Sequence, residues 1–344
     1  MTSSAPYLTP AEAARRLGVS IKALRLYEQR GLVSPVRTGS GWRAYGPAEV
    51  ARAGEIVALR ALGLSLAQVA QVLDGDAQAL APALAAHQAT LEDRLHHLAG
   101  TLDRVRTLRA DLARGAAPAA ADLARLLEAG SGPDVAFDLP WPWGGERFEL
   151  RDIPALTYII GPLGSGKTRL AHRLAESLPG AAFLGLDRLA DGAAADQAHL
   201  AADPALHARV DGALAWLVED GATRSPALVA LVAGLEASGP TALVVDMVEQ
   251  GLDQASQEAL IAHLRARPPG TRPLFLLTRS SAILDLGAVG ADEAIILCPA
   301  NHSPPSRVAP YLGAPGHEAV ATCLASPEVR ARTEGVVAMR PPAA

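Results

Sequence analysis

YIIGPLGSGKT, residues Tyr158 to Thr168, decides how the larger part of this 344-residue chain is read. An apolar run, LTYII, leads into it, and a helical pattern, KTRLAHRLAESL, leaves it. Gly161 to Thr168 fits the spacing G-x-x-x-x-G-K-[ST]. Glycine at Gly161, Gly164 and Gly166 lets successive backbone N–H groups, with that of Ser165, curl around phosphates, and the helix N-terminus adds positive potential. Lys167 is one of two lysines in a chain with 29 arginines. A compact ammonium suits terminal phosphates, where a guanidinium fork fits poorly. Thr168 is the expected Mg²⁺ ligand. Asp246, which ends LVVD, is expected to hold the same ion through water. The ligand these residues predict is ATP or a related nucleotide with Mg²⁺.

Outward from this loop, apolar strands alternate with helices. AAFLGL, TALVVD, PLFLLT and EAIILC read as strands; residues 204–219 and 226–236 and QASQEALIAHLRAR read as helices. That alternation predicts a largely parallel α/β domain over 136–310. LVVDMVEQGLDQASQEALIAHLRA…PLFLLTRSS resembles the ABC-type ATPases. The resemblance makes Gly251-Leu252-Asp253 a D-loop, but puts Met247 where that family carries its catalytic glutamate and Arg279 where it carries its switch histidine. No LSGGQ occurs. Methionine cannot take a proton from water, so hydrolysis is expected to be slow or absent unless Glu249 or Asp253 substitutes. A small-molecule kinase is the competing reading, with Asp187 as its carboxylate, but no arginine-rich lid is apparent and a surface aspartate is expected there. Trp141 and Trp143 either stack on a base or belong to the core; the core is favoured.

The N-terminal part is built differently. Residues 1–115 carry 14 Lys+Arg against 10 Asp+Glu, while the remainder carries 17 against 26. A basic head on an acidic body points the head at nucleic acid. TPAEAARRLGVSIKALRLYEQRGLV holds two short helices, opened by Thr9-Pro10 and capped by Ser20. Ala14, Gly18 and Leu24 have helix-turn-helix spacing. Lys22, Arg25 and Gln29 share one face of the second helix, with Ile21 and Leu24 on the core side. In VSPVRTGSGWRAYGPAEV, Gly39 and Gly41 suit a hairpin turn, flanked by Arg37, Trp42, Arg43 and Tyr45, which makes a wing. Two more helices follow, the second with a Ser65/Gln68 capping box.

LTPAEAARRLGVSIKALRLYEQRGLVSPVRTGSGWRAYGPAEV…LRALGLSLAQVAQVL resembles the winged helix-turn-helix of the mercury-resistance regulator (MerR) family. The resemblance implies double-stranded promoter DNA as partner. Arg25 and Tyr27 match its LRYYE element, and Arg43 and Tyr45 its wing, although Leu26 and Trp42 replace tyrosines usual there. The expected DNA-binding residues are Ser20, Lys22, Arg25, Tyr27, Arg37, Arg43 and Tyr45. Leu84, Leu91, Leu98, Val105 and Leu112 repeat every seven residues, with Leu95 and Leu102 between them and Gln88 and Arg109 as imperfections. A coiled-coil homodimer through 80–112 is predicted, antiparallel by the resemblance, which also implies distortion of promoter DNA and makes RNA polymerase a further candidate partner.

The expected organisation is α + α/β: a winged helix-turn-helix over 1–76, a coiled-coil dimerisation helix over 77–114, a linker over 115–135, a P-loop NTPase domain over 136–310 and a tail over 311–344. Cys298 and Cys323 are too few for a disulfide framework and are expected as buried thiols. MTSSAPYLTP lacks signal-peptide order, and no apolar run reaches transmembrane length, so a cytoplasmic location without membrane is expected. The function expected is a DNA-binding transcriptional regulator switched by nucleotide. The alternatives are an ATPase or kinase that the head localises or autoregulates, and a vestigial P-loop that binds a partner protein.

Overall fold

A computed structural model describes residues 7–37, 42–114, 135–151, 153–189, 200, 202–268, 270–290 and 293–333. The head opens with α1 (Pro10–Leu17), where Thr9 and Glu12 close a capping box. Gly18, at φ +67°, turns the chain in the left-handed region, which glycine enters without steric cost. Ser20 caps α2 (Ile21–Gln29) by accepting the Ala23 N–H. Strands β1 (Val36–Arg37) and β2 (Arg43–Ala44) pair antiparallel as the wing, Arg37 opposite Arg43; the predicted turn glycines lie outside the described residues. Helices α3 (Pro47–Ala61), α4 (Leu66–Leu73) and α5 (Leu80–Ala113) complete this part. Its core gathers Ala13, Ala14, Leu24, Ile56, Leu66 and Val69 around two tyrosines. Ile21, expected inside with Leu24, is exposed.

The body begins with a hairpin absent from the sequence-based expectation, β3 (Val135–Asp138) with β4 (Arg147–Leu150). Then follow β5 (Leu156–Ile160), α6 (Lys167–Ser177), β6 (Ala182–Leu184) and a 3₁₀ turn at Leu186–Leu189. Next come α7 (Pro204–Glu219), α8 (Pro226–Glu236), β7 (Leu243–Val245), α9 (Gln254–Arg265), β8 (Leu274–Leu277), β9 (Glu293–Leu297) and β10 (Ser306–Val308). The six-stranded sheet runs β10-β9-β5-β8-β7-β6, parallel except for the edge strand β10. One face of the sheet is covered by α7, α8 and α9 with Leu156, Tyr158 and Ile160 of β5; the other by α6 and the hairpin with Ile159 and Phe275. Strands buried on both faces explain the unbroken apolar runs, because polar residues find no solvent on either side.

Two expectations change here. Residues 311–333 do not stand off as a tail. Helices α10 (His317–Cys323) and α11 (Pro327–Thr333) lie on the body, with Val320 in its core and Ala325 bridged to Ser280. Cys298 is buried, but Cys323 is only half-buried. The predicted linker over 115–134 lies outside the described residues. No helix among the described residues is long and apolar enough to cross a membrane.

Candidate nucleotide and nucleic-acid sites

The phosphate loop joins the C-terminal end of β5 to α6, at the edge of the parallel strands where α/β sheets bind ligands. Two of its glycines, Gly161 and Gly166, are required for space. A Cβ on Gly161 would lie 2.3 Å from the Cys298 carbonyl oxygen and 2.6 Å from Ser165 Oγ. One on Gly166, at φ +90°, would meet the Trp143 ring at 2.6 Å. No side chain caps the N-terminus of α6, so its first-turn amides remain available for an anion. The Ser165 hydroxyl is buried without a hydrogen-bond partner among the described residues. Lys167 folds over the loop and donates to the carbonyls of Gly161 and Pro162, both at 2.7 Å. Burial pushes its ammonium below the usual lysine range, and nearby Arg279 pushes the same way. A polyphosphate would offset both penalties, so the residues fit the nucleotide they predict.

Thr168 and Asp246 come together across the sheet, Thr168 Oγ1 donating to Asp246 Oδ2 at 3.4 Å. They face each other because β8 alone separates β5 from β7. Burial raises the Asp246 pKa, while the Thr168 bond and the Arg188 charge lower it in part. No group of three His, Cys, Asp or Glu among the described residues could hold a metal. A hydroxyl beside a carboxylate is a donor pair that suits Mg²⁺, which keeps several waters and shares phosphate oxygens.

Sequence reasoning missed Arg188. From the 3₁₀ turn, its Nη1 donates to the carbonyls of Gly185 at 2.6 Å and Asp246 at 2.9 Å, and its Nη2 to that of Met247 at 2.9 Å. Met247 sits at φ +44°, a left-handed conformation that costs a side chain of this kind about 1 kcal/mol or more. The guanidinium fork clamps both sides of that strained residue. Asp187 beside it is exposed, as expected.

Both substitute bases are engaged, Glu249 through one oxygen alone: its Oε2 is buried without a hydrogen-bond partner among the described residues. Glu249 is 2% exposed, and its Oε1 accepts the Arg279 N–H at 3.0 Å and the Arg330 guanidinium from α11. Asp253 caps α9 through the Ser256 N–H at 2.7 Å. The two tryptophans part company. Trp143 is core, its indole N–H bonded to the Ser303 carbonyl at 3.1 Å. Trp141, 69% exposed, instead carries the Arg169 guanidinium 4.4 Å over its ring, beside the phosphate loop.

In the head, Lys22, Arg25, Arg37 and Arg43 are exposed and Ser20 is half-buried. Arg43 pairs with Glu28 at 2.7 Å. Tyr27 and Tyr45, expected at phosphates, are core residues at 6% and 1% exposure. Tyr45 donates its hydroxyl to Glu28. Both rings lie in the core of the head.

Comparison with known proteins fits this geometry. The family model described as MerR HTH family regulatory protein matches residues 8–76. Residues 8–76 are a MerR helix-turn-helix domain. Over 64 residues this chain is 45% identical to a probable heavy metal-dependent transcriptional regulator of Haemophilus influenzae, a match covering 18% of this chain and 50% of that protein. The chain thus spans about half the length of that curated relative. Among solved structures, a MerR family regulator lacking the sensor domain, bound to promoter DNA, overlaps 32% of this chain and 92% of its own, at 22% identity and a TM-score of 0.24. The ATP-binding cassette of an ABC transporter in its ADP conformation overlaps 60% of this chain and 100% of its own, at 14% identity and a TM-score of 0.34. The MerR domain thus accounts for the head, and the body is described by its own phosphate loop and parallel sheet.

Proposed function

We propose that this chain is a DNA-binding transcriptional regulator of the MerR type whose ABC-ATPase-like body binds ATP or a related nucleotide with Mg²⁺ as a switch, with slow or no hydrolysis. The observation that carries the nucleotide reading is the convergence of the phosphate loop, Thr168 and Asp246 at the ends of β5 and β7, with β8 between them. The observation behind weak turnover is that Met247 follows Asp246, while Glu249 is tied through Oε1 to Arg279 and Arg330 and Asp253 caps α9. Ser20, Lys22, Arg25, Arg37 and Arg43 are the proposed contacts to promoter DNA. On α5, Leu84, Leu91, Leu95, Leu102 and Leu112 are exposed, a seam that a second copy would cover to make the homodimer. Two such heads would engage a pseudo-palindromic site, in the cytoplasm and in reach of RNA polymerase. Deforming that site costs a few kcal/mol, comparable with the coupling one ligand can exert on a dimer.

The test is footprinting on the protein's own promoter region, with and without Mg-ATP, beside Lys167→Ala. The expected result is a footprint that changes with nucleotide in the wild type and not in the variant. Identical footprints in every case sink the switch. Phosphate release well above the Lys167→Ala background would favour the enzyme instead.

A further inference from the structure

The head and body are joined by a built socket. Asp220, at the C-terminus of α7, is 4% exposed. Its Oδ1 accepts Arg60 Nη1 at 2.7 Å and the Leu66 N–H at 2.7 Å; its Oδ2 accepts Arg60 Nη2 at 3.1 Å. Its carbonyl accepts the guanidinium of Arg30, the C-cap of α2, at 2.9 Å. Ser65 donates its hydroxyl to Glu219 at 2.9 Å, Trp216 its indole N–H to the Gly63 carbonyl at 3.1 Å, and Arg60 lies 5.3 Å over the Trp216 ring. At Gly221, φ +105°, a Cβ would sit 1.6 Å from Arg30. A carboxylate of the body thus caps a helix of the head and takes a bidentate arginine, the strongest geometry such a pair has.

A second tie lies on the reading face itself. Lys22 Nζ donates to the Ser281 carbonyl at 2.9 Å. Ser281 belongs to the loop that leaves β8, between the phosphate loop and Asp246. Two residues earlier, Arg279 gives its N–H to Glu249 and stands close enough to act on Lys167. Ser280 donates to Gln257, and Ser281 takes the Ala325 carbonyl on its own N–H. The loop is therefore wired to the nucleotide site at one end and to the second helix of the helix-turn-helix at the other.

We propose that this docked arrangement is a DNA-excluding state: the body holds α2 and α4 through the Asp220 socket and occupies Lys22, and nucleotide at the phosphate loop releases the head through residues 279–281. The proposal rests on the regulatory reading above and adds its device. A recognition helix must enter a major groove about 12 Å wide; α2 is bonded to the body at both ends, at Lys22 and at Arg30, so these ties would have to part for it to seat there.

The test uses the full-length chain and its own promoter DNA. Asp220→Ala is expected to bind that DNA without nucleotide about tenfold tighter than wild type, and to gain little more from Mg-ATP, because the competent fraction is already high. Should Asp220→Ala misfold, Trp216→Phe combined with Glu219→Ala removes two of the ties and keeps the ring packing; a severalfold gain is expected. With only two lysines in the chain, brief acylation read by mass spectrometry reports Lys22 directly, and its labelling should rise in either variant. Unchanged affinity and unchanged Lys22 labelling in both would overturn the proposal. Tighter DNA binding by the variants with no response to nucleotide in wild type would uphold the socket and remove the nucleotide switch. No DNA binding by any form would remove both.

Discussion

Replacing Arg188 with Met tests whether the metal-side carboxylate is held in place from behind. The guanidinium bonds the carbonyls of Gly185, Asp246 and Met247, with a longer contact to that of Leu184 at 3.5 Å. A bond from a charged donor contributes about 1.5–3 kcal/mol, and a carbonyl left bare in a half-buried site costs about 1–3 kcal/mol. Against this, burial already lowers the Arg188 pKa, so removing the cation returns part of its desolvation cost. Met247 can also relax from φ +44°, worth about 1 kcal/mol. The balance is a loss of about 2–4 kcal/mol in the stability of the body. The Asp246 carboxyl also loses a charge that lowers its pKa, so its ionised form is disfavoured further and Mg-nucleotide affinity should fall about tenfold. Arg188→Lys keeps a charge without the fork and should fall between. Urea unfolding gives the first quantity and titration calorimetry with Mg-ATP the second. A Met variant that unfolds at the wild-type urea concentration and binds nucleotide as before would refute the clamp.

The remaining expectations concern charge, pH and assembly. Burial and then Arg267 push His263 down from 6.5 to about 4. Between those values the unfolded chain takes a proton that the folded chain refuses. The stability is therefore complete above about pH 6.5 and is lost as pH falls toward 4, by at most about 3 kcal/mol; urea midpoints from pH 7 to 4.5 should show this, and His263→Gln should flatten it. Leu95→Lys with Leu102→Lys places charge on the exposed seam of α5 and should yield monomer by ultracentrifugation; an unchanged mass would place the dimer elsewhere or remove it. Arg43→Ala should weaken binding to all DNA sequences and reduce the salt slope by about 0.9, whereas Arg25→Ala should relax sequence preference; the reverse pattern, read by fluorescence titration, would exchange their roles.

What could be read from the sequence was what a few consecutive residues determine. The strands of the body announce themselves because both faces are buried, and the phosphate loop because a Cβ on Gly161 would lie 2.3 Å from a backbone oxygen and one on Gly166 would meet the Trp143 ring. In the head, Thr9 with Glu12 and Ser65 with Gln68 settle helix starts within four residues. Tyr27 and Tyr45 read as phosphate contacts because each stands beside arginines, whereas both rings are buried in the core and the Tyr45 hydroxyl goes to Glu28. The hairpin β3–β4 escaped because four-residue strands around PWPWGG carry too little periodicity.

The socket shows why the rest stayed hidden, and where a trace of it was present. Arg60 and Asp220 are 160 residues apart, and Asp220 alone is an unremarked carboxylate at a helix end. Yet a helix start leaves four amides without partners inside the helix. The Ser65/Gln68 box satisfies only the Gln68 N–H and that of Ser65 itself. The Leu66 N–H, in a helix whose first residue is buried, is left over, and burying it without an acceptor would cost about 1–3 kcal/mol. A buried residue at the first position of a capped helix, as Leu66 is, thus calls for an acceptor from elsewhere in the chain. Asp220 supplies it at 2.7 Å, and the same carboxylate takes Arg60. The amide needs a partner whether or not DNA is bound, so release of the head must hand Leu66 to water. That transfer is why undocking should expose the start of α4 to amide exchange together with Lys22, and why exchange confined to α2 would mean a different hinge.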